Sequence, residues 1–505
     1  MFEPWGGLVA STADVNLNEI AGSGVGRGRD QLASVVSRWN PRLVKALTVV
    51  GFGLPLVGYF WLLGRFSVNV LVGDDWDEVP VIKQSYVHYF DWRLLWTQRN
   101  ENRIFFPNLI VVLIAHTLHY DIHVVEYLGA VMLVAATTFI LVAHRRRSPS
   151  TQWLYYCPVA FLTFSFVQEG NTLWAFQMAW FMVLLALATA LLLLDRATLT
   201  WLALGGAIAA ATVGSLSSLQ GLLIWPAGLV LCFYRRRVWT EIGVWIVAGI
   251  AATAVYLRNY HFSATPFPRF ALQHPMIAVK FFFFLIGDVV GKPVAPGNSH
   301  TENTLVVLFG IFIVALAIGT VLICGFRRDE RTGSPIGIAL ICFGLLFAVI
   351  VTQGRSYNGY GGASASRYTT FDLLIVAGIY LALLGRRPLW RGGVSDELDH
   401  SVFQRSTIRR SSAGHGSGKI SGIAYRIAVV LVVGAMVVQI PLGFHYGLSA
   451  ARSFHASQVT AAETLRNINH VSNPELAQAE FFVPPSVIRR QAPVLEEHRL
   501  SVFDQ

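Results

Sequence analysis

Four carboxylates crowd one short stretch of this sequence, Gly73-Asp74-Asp75-Trp76-Asp77-Glu78, directly after its first long apolar run. Charged groups at the mouth of a membrane helix are costly unless water, a cation or a substrate receives them, so chemistry is sought here first. A carboxylate at this place could take a proton from an acceptor hydroxyl or give an oxygen ligand to a divalent cation. Pro80 is suited to opening a helix, and Asp77 and Glu78 would then precede its first turn, where the helix dipole stabilises an acid by roughly 0.3 to 1 kcal/mol. That local role leaves Asp74 and Asp75 as the candidates for catalysis or metal binding. Trp76 and Trp92 read as anchors at the membrane interface.

Asn100-Glu101-Asn102-Arg103 forms a second polar cluster, just ahead of Ile104-Phe105-Phe106-Pro107. It suits a helix cap with a snorkelling arginine, and equally a set of groups for sugar hydroxyls and phosphate oxygens. The segment from Gln168 to Gln177 repeats that chemistry with Glu169, Asn171, Trp174 and Gln177. A flat indole beside amides and a carboxylate is a common way to hold carbohydrate, and an interfacial loop uses the same residues.

The elements that must position these groups follow from composition. Of 505 residues, 54% are hydrophobic and 13% charged, and the mean hydropathy is +0.52. Too little polar surface exists to coat soluble globules, so the chain is expected to be an integral membrane protein. The excess of 39 Lys and Arg over 29 Asp and Glu lies in short clusters between apolar runs. That pattern reads as orientation signals facing anionic lipid, with no nucleic acid as partner. Cys157, Cys232, Cys324 and Cys342 each lie in an apolar run without metal-ligand spacing and are expected to pack. No cleavable signal peptide is expected, and the absence of a phosphate-binding loop argues against nucleotide-driven chemistry on the inner side.

Runs long enough to cross a bilayer lie near 43–66, 123–144, 178–195, 199–216, 218–234, 239–257, 304–326, 335–353, 370–385 and 425–445. Shorter or interrupted ones lie near 104–119, 153–167 and 276–290. The expected fold is therefore all-α and polytopic, with about 11–13 hydrophobic helices. Its parts are a cytoplasmic N-terminal segment (1–42), a membrane core (43–385) with an extracytoplasmic loop at 67–122, a flexible basic cytoplasmic linker (386–424), a final transmembrane helix (425–445) and an extracytoplasmic tail (446–505). Arg38 and Arg42 and the Arg clusters at 145–147, 235–237, 327–328 and 386–426 are expected to stay cytoplasmic, in the plasma (inner) membrane, with the N-terminus inside and the C-terminus outside. The acidic loop, the 168–177 segment, the 215–220 turn, the 258–303 and 354–369 loops and the tail then share the outer side. This charge rule also asks 104–119 and 276–290 to lie in the interface or re-enter. Arg355 and Arg367, the latter followed by Tyr368, run against the charge bias, which suits an anionic partner such as a phosphate or the loop carboxylates, or else snorkelling at a helix end. The tail's apolar residues look too sparse for a core of their own, and the tail is expected to lie over the outer face.

Gly73-Asp74-Asp75 after the first helix and Asn102-Arg103-Ile104-Phe105-Phe106-Pro107 at the next element resemble the GT-C superfamily of membrane glycosyltransferases. The chain also resembles a group of uncharacterised bacterial multi-span proteins, through Asn100 to Ile104, Trp174 to Gln177, Ser366 to Tyr368 and Leu500 to Phe503. The GT-C resemblance implies transfer of a sugar from a polyprenyl-phosphate donor to an extracytoplasmic glycan, lipid or protein acceptor, with inversion. It implies Asp74 or Asp75 as general base, Arg355 or Arg367 for the departing phosphate, and Asn100, Glu101, Glu169 and Gln177 to orient hydroxyls. Arg103, Asn171, Trp174 and Tyr368 complete the expected substrate-binding set. The second-loop acidic motif of one GT-C branch is missing, which leaves a divalent cation (Mg or Mn) open. The alternative is a transporter or flippase for a polyprenyl-linked sugar or other amphiphile.

Overall fold

The computed structural model describes residues 40–87, 89–261, 269–292, 300–325, 334–385 and 415–504. The N-terminal segment up to residue 39 and most of the 386–424 linker lie outside them. The chain divides into two units. Of the first, Met1–Thr48 with Arg387–Ser411, the described part is the start of a helix whose Asn40 side chain accepts the Arg42 N–H at 2.9 Å. The second, Val49–Arg386 with Ser412–Gln505, holds everything that follows.

The helices, in chain order, are α1 (Pro41–Phe66), α2 (Val79–Ser85), α3 (Phe105–Leu118), α4 (Ile122–Arg147), α5 (Cys157–Thr163), α6 (Glu169–Thr172) and α7 (Met178–Leu194). They continue with α8 (Trp201–Ser215), α9 (Ile224–Tyr234), α10 (Trp239–Leu257), α11 (Arg269–Gln273), α12 (Pro275–Gly287), α13 (His300–Gly325) and α14 (Ser334–Arg355). The last are α15 (Gly359–Ala363), α16 (Thr369–Gly385), α17 (His415–Arg466), α18 (Asn473–Gln478) and α19 (Pro485–Glu497). Among the described residues, extended pairing is confined to β1 (Gln98–Arg99) and β2 (Asn102–Arg103). Among the described residues, eight helices are long and apolar enough to cross a membrane: α1, α4, α7, α10, α13, α14, α16 and α17. The protein is an all-α polytopic membrane protein.

Helix lengths refine the expected spans. α3 and α12 have 14 and 13 residues, about 20 Å each at 1.5 Å per residue, short of the roughly 30 Å hydrocarbon core. α8, expected as a full span, has 15 residues. The stretch expected at 153–167 is broken: a 3-10 turn (Trp153–Tyr156), α5, and another 3-10 turn (Phe166–Gln168). The final helix is longer than expected, for α17 continues through 52 residues, His415–Arg466, and carries the chain well past position 445.

Polarity is sorted along the bundle. At one end Asp195 gathers arginines from two clusters, accepting Arg235 Nε at 2.5 Å and lying 3.5 Å from Arg147 Nε, while Arg237 donates to the Leu194 carbonyl at 2.6 Å. Arg147, at the end of α4, and Arg237 thereby close the C-terminal end of α7, where orphan carbonyls favour cations. Both helices begin at the opposite end, so the broken 153–168 stretch makes the return. There the Ile122 N–H meets the Asn69 side chain at 3.0 Å, and the acidic loop, the 168–177 segment, the 215–220 turn, the start of the loop after α10 and the 355–369 loop all converge.

A second apolar core sits at this acidic end, built from Val70, Leu71, Trp76, Ile82, Ile114, Tyr120 and Val125 of the first loop and its neighbours with Leu465, Leu476, Phe481, Ile488, Leu495, Leu500 and Val502 of the tail. The tail is tied down by Gly73 N–H to the Phe481 carbonyl (2.8 Å), Ser501 N–H to the His119 carbonyl (2.8 Å) and Gln458 to the Leu173 carbonyl (3.0 Å). Its sparse apolar residues therefore complete a core that the first loop supplies. Trp76, expected at the lipid interface, is fully buried in it and packs edge-on against Phe481. Trp92 is exposed.

Candidate functional site

The first loop locks onto the segment between α6 and α7 at Gly73. Its φ is +55°, and a Cβ there would lie 2.6 Å from Trp174 Cζ2, so only glycine lets the indole press on this backbone. Trp174 Nε1 donates to the Val72 carbonyl at 3.0 Å. Next to it Asp75 is fully buried and accepts the Val72 N–H at 2.9 Å and the Phe176 N–H at 2.8 Å. The second bond satisfies an orphan donor at the turn leading into α7. Burial, with Glu78 nearby, holds the Asp75 carboxyl well above the usual carboxylate range. Asp75 thus has both oxygens committed to backbone amides and acts as a strut between two segments.

Asp74 differs from its neighbour in exposure and in hydrogen bonding. It is half-buried and accepts no hydrogen bond among the described residues. Burial and then the Asp77 carboxylate raise it above the ordinary value, Glu101 adds to this, and Arg367 and Arg355 oppose it. A carboxyl so placed keeps its lone pairs for a ligand while two guanidinium groups hold positive charge within reach.

Glu101 reaches this cluster from a hairpin. β1 and β2 pair antiparallel, and Asn100 takes the left-handed turn at φ +48°. Tyr256 and Tyr260 hydroxyls donate to the Glu101 carbonyl at 2.6 and 3.1 Å, and Arg355 Nη2 donates to its carboxylate at 2.5 Å. Asn100 is an exposed turn residue. Arg103 is buried and donates to the carbonyls of Tyr256 (2.6 Å), Trp96 (2.8 Å) and Arg258 (2.6 Å). Its guanidinium caps the C-terminal end of α10, a structural tie where a substrate contact was expected.

Arg367 lies over the rings of Trp174 and Tyr368, 5.9 and 5.1 Å from their centroids. Tyr368 is buried beside Trp180 and Phe347. Asn171 holds this element in place by donating to the Arg367 carbonyl (2.6 Å) and the Thr370 hydroxyl (2.7 Å). Gln177 is buried, its Oε1 without a partner among the described residues. Glu169 belongs elsewhere: it accepts from the Ser366 hydroxyl, burial pushes its carboxyl up to about 8, and it lines a separate cavity.

Of the twelve expected site residues, Asp74, Glu101, Arg355, Arg367 and Trp174 share one polar mouth. Asp75, Arg103, Asn171 and Tyr368 build its walls. The sequence reading missed the Gly170–Ser366 contact behind it, where Ser366 Oγ accepts the Gly170 N–H at 3.2 Å and a Cβ on Gly170 would lie 2.4 Å from that oxygen. Among the described residues no three His, Cys, Asp or Glu side chains converge as ligands for a metal ion. With Glu101 engaged by Arg355, the donor set at the mouth does not fit a divalent cation.

No protein-family model, no curated protein and no solved structure matches this chain.

Proposed function

We propose that the chain is a GT-C-type membrane glycosyltransferase that moves a sugar from a polyprenyl-phosphate donor to an acceptor hydroxyl at the acidic end of the bundle. Asp74 carries this reading, being a half-buried carboxyl with uncommitted oxygens in the field of Arg367 and Arg355. In the reaction Asp74 accepts the acceptor hydroxyl's proton as that oxygen attacks the anomeric carbon from the face opposite the phosphate, which inverts the centre. The bond to the phosphate oxygen breaks, and the guanidinium groups receive the charge that develops on the leaving polyprenyl phosphate. Glu101 fixes Arg355 for that task. No step passes through a metal ion. By the charge rule the mouth faces away from the cytoplasm of a plasma membrane.

The test is purified protein offered a panel of radiolabelled polyprenyl-phosphate sugars with water-soluble glycan and glycolipid acceptors. Transfer by the native protein, reduced at least about a hundredfold in Asp74→Asn, supports the reading; absence of transfer from every donor overturns it.

One observation favours the second reading, a transporter or flippase. Asp372 lies within α16, fully buried, with neither carboxylate oxygen partnered among the described residues. Acids inside a bundle often mark passages. If this reading is right, proteoliposomes translocate a fluorescent polyprenyl-linked sugar and Asp372→Asn stops it; equal rates in protein-free vesicles dismiss it.

A further inference from the structure

Behind the Gly170–Ser366 contact lies a cavity of about 510 Å³, a volume suited to a small ligand. α17 supplies one wall, with Tyr446, Ser449, Ser453 and Ser457. Successive serines four residues apart fall on one helix face, and none of the three hydroxyls has a hydrogen-bond partner among the described residues. α17 approaches closely because Gly447 abuts the Phe166 backbone, where a Cβ would lie 2.2 Å from the carbonyl carbon. The opposite wall carries Glu169 and Asp288, both buried, with Ser364 and Ser366. Among the described residues Asp288 Oδ1 is buried without a partner, an expensive state for a polar atom unless a ligand or ordered water completes it. Lys292 and Glu480 stand at the same cavity.

This lining selects among ligand classes. The Glu480 side chain opposes an anion, and the Lys292 ammonium opposes a cation. The α17 hydroxyls, with Glu169 and Asp288 whose burial favours the neutral carboxyl, can each donate and accept a hydrogen bond, the pattern that matches adjacent hydroxyls of a neutral polyol. Phe454 and Phe482 add apolar surface for the C–H face of a sugar ring.

We propose that this cavity is a second, separate binding site for a neutral carbohydrate unit of monosaccharide to disaccharide size, held by Asp288, Glu169 and the Ser449-Ser453-Ser457 face of α17. The site does not depend on the glycosyltransferase reading, since it would serve a transporter equally.

Equilibrium dialysis of the detergent-purified full chain against a panel of tritiated neutral monosaccharides and disaccharides tests it. At least one sugar binds saturably; Asp288→Asn and Ser453→Phe, on different walls, each weaken it by about tenfold or more while the proteins stay monodisperse. Asp74→Asn leaves the binding unchanged, which separates this site from the arginine-lined mouth. Absence of saturable binding across the panel, or binding indifferent to both cavity variants, overturns the proposal.

Discussion

Two adjacent aspartates with identical chemistry do different work because of what reaches them. Asp75 meets the N–H of Phe176, 101 positions away in sequence, whereas Asp74 is left with uncommitted oxygens. Glu78 shows how burial sets a titration at this end of the molecule. It is 2% exposed, accepts a hydrogen bond from the Tyr120 hydroxyl, and burial pushes its carboxyl up to about 7 against that bond and the Arg99 charge. The folded state thus holds this proton more tightly than the unfolded chain. Its stabilising effect is complete below the ordinary carboxylate pKa and is lost as pH rises through about 7. The displacement corresponds to about 3 kcal/mol. Thermal unfolding in detergent is therefore expected to fall in midpoint between pH 5 and pH 8, and Glu78→Gln to flatten that slope. An unchanged slope in the variant would assign the pH dependence to other groups. The pair Asp74 and Asp75 was legible in the sequence as a place for chemistry; the division of labour within it was not, because it rests on a backbone amide from a distant segment.

At the scale of elements, helices were legible wherever a long apolar run stood between charged clusters, as for α4, α10 and α13. The 153–167 stretch was legible as an interrupted run, and Pro158 opens α5 after the 3-10 turn Trp153–Tyr156. Two kinds of element escaped. α17 extends past 445 because its outer half is polar on one face, so hydropathy alone stops too soon. The tail looked coreless because Leu476, Phe481, Ile488 and Leu495 are spaced widely, and they become a core only against Val70, Leu71 and Trp76. Phe481 is the keystone of that contact, 1% exposed, with its carbonyl on the Gly73 N–H. Phe481→Ala is expected to cost about 3 to 5 kcal/mol of local stability, read as faster proteolysis between residues 467 and 504 with the membrane helices intact. Resistance equal to the native protein would show the tail to be held by other contacts.

For the whole molecule, the organising fact is the separation of arginine clusters at one end from acids, amides and indoles at the other. The same helices carry both, with Asp195 tying the arginine end and Asp75 capping the acidic one. Such sorting concentrates polar groups at one end of the apolar helices, the place that suits the proposed amphiphilic donor. Within that end the structure sets two polar regions apart, the mouth around Asp74 and the serine-lined cavity of α17. On the proposed function the reaction falls to the first, at the Asp74 carboxyl. The most direct measurement compares initial rates of sugar transfer from the active polyprenyl-phosphate donor for the Asp74→Asn and Asp75→Asn proteins, each with its folded fraction determined. Transfer lost in Asp74→Asn at full folding, with Asp75→Asn active per folded molecule though less stable by about 1 to 3 kcal/mol, is the predicted result; native-like transfer by Asp74→Asn would contradict the account.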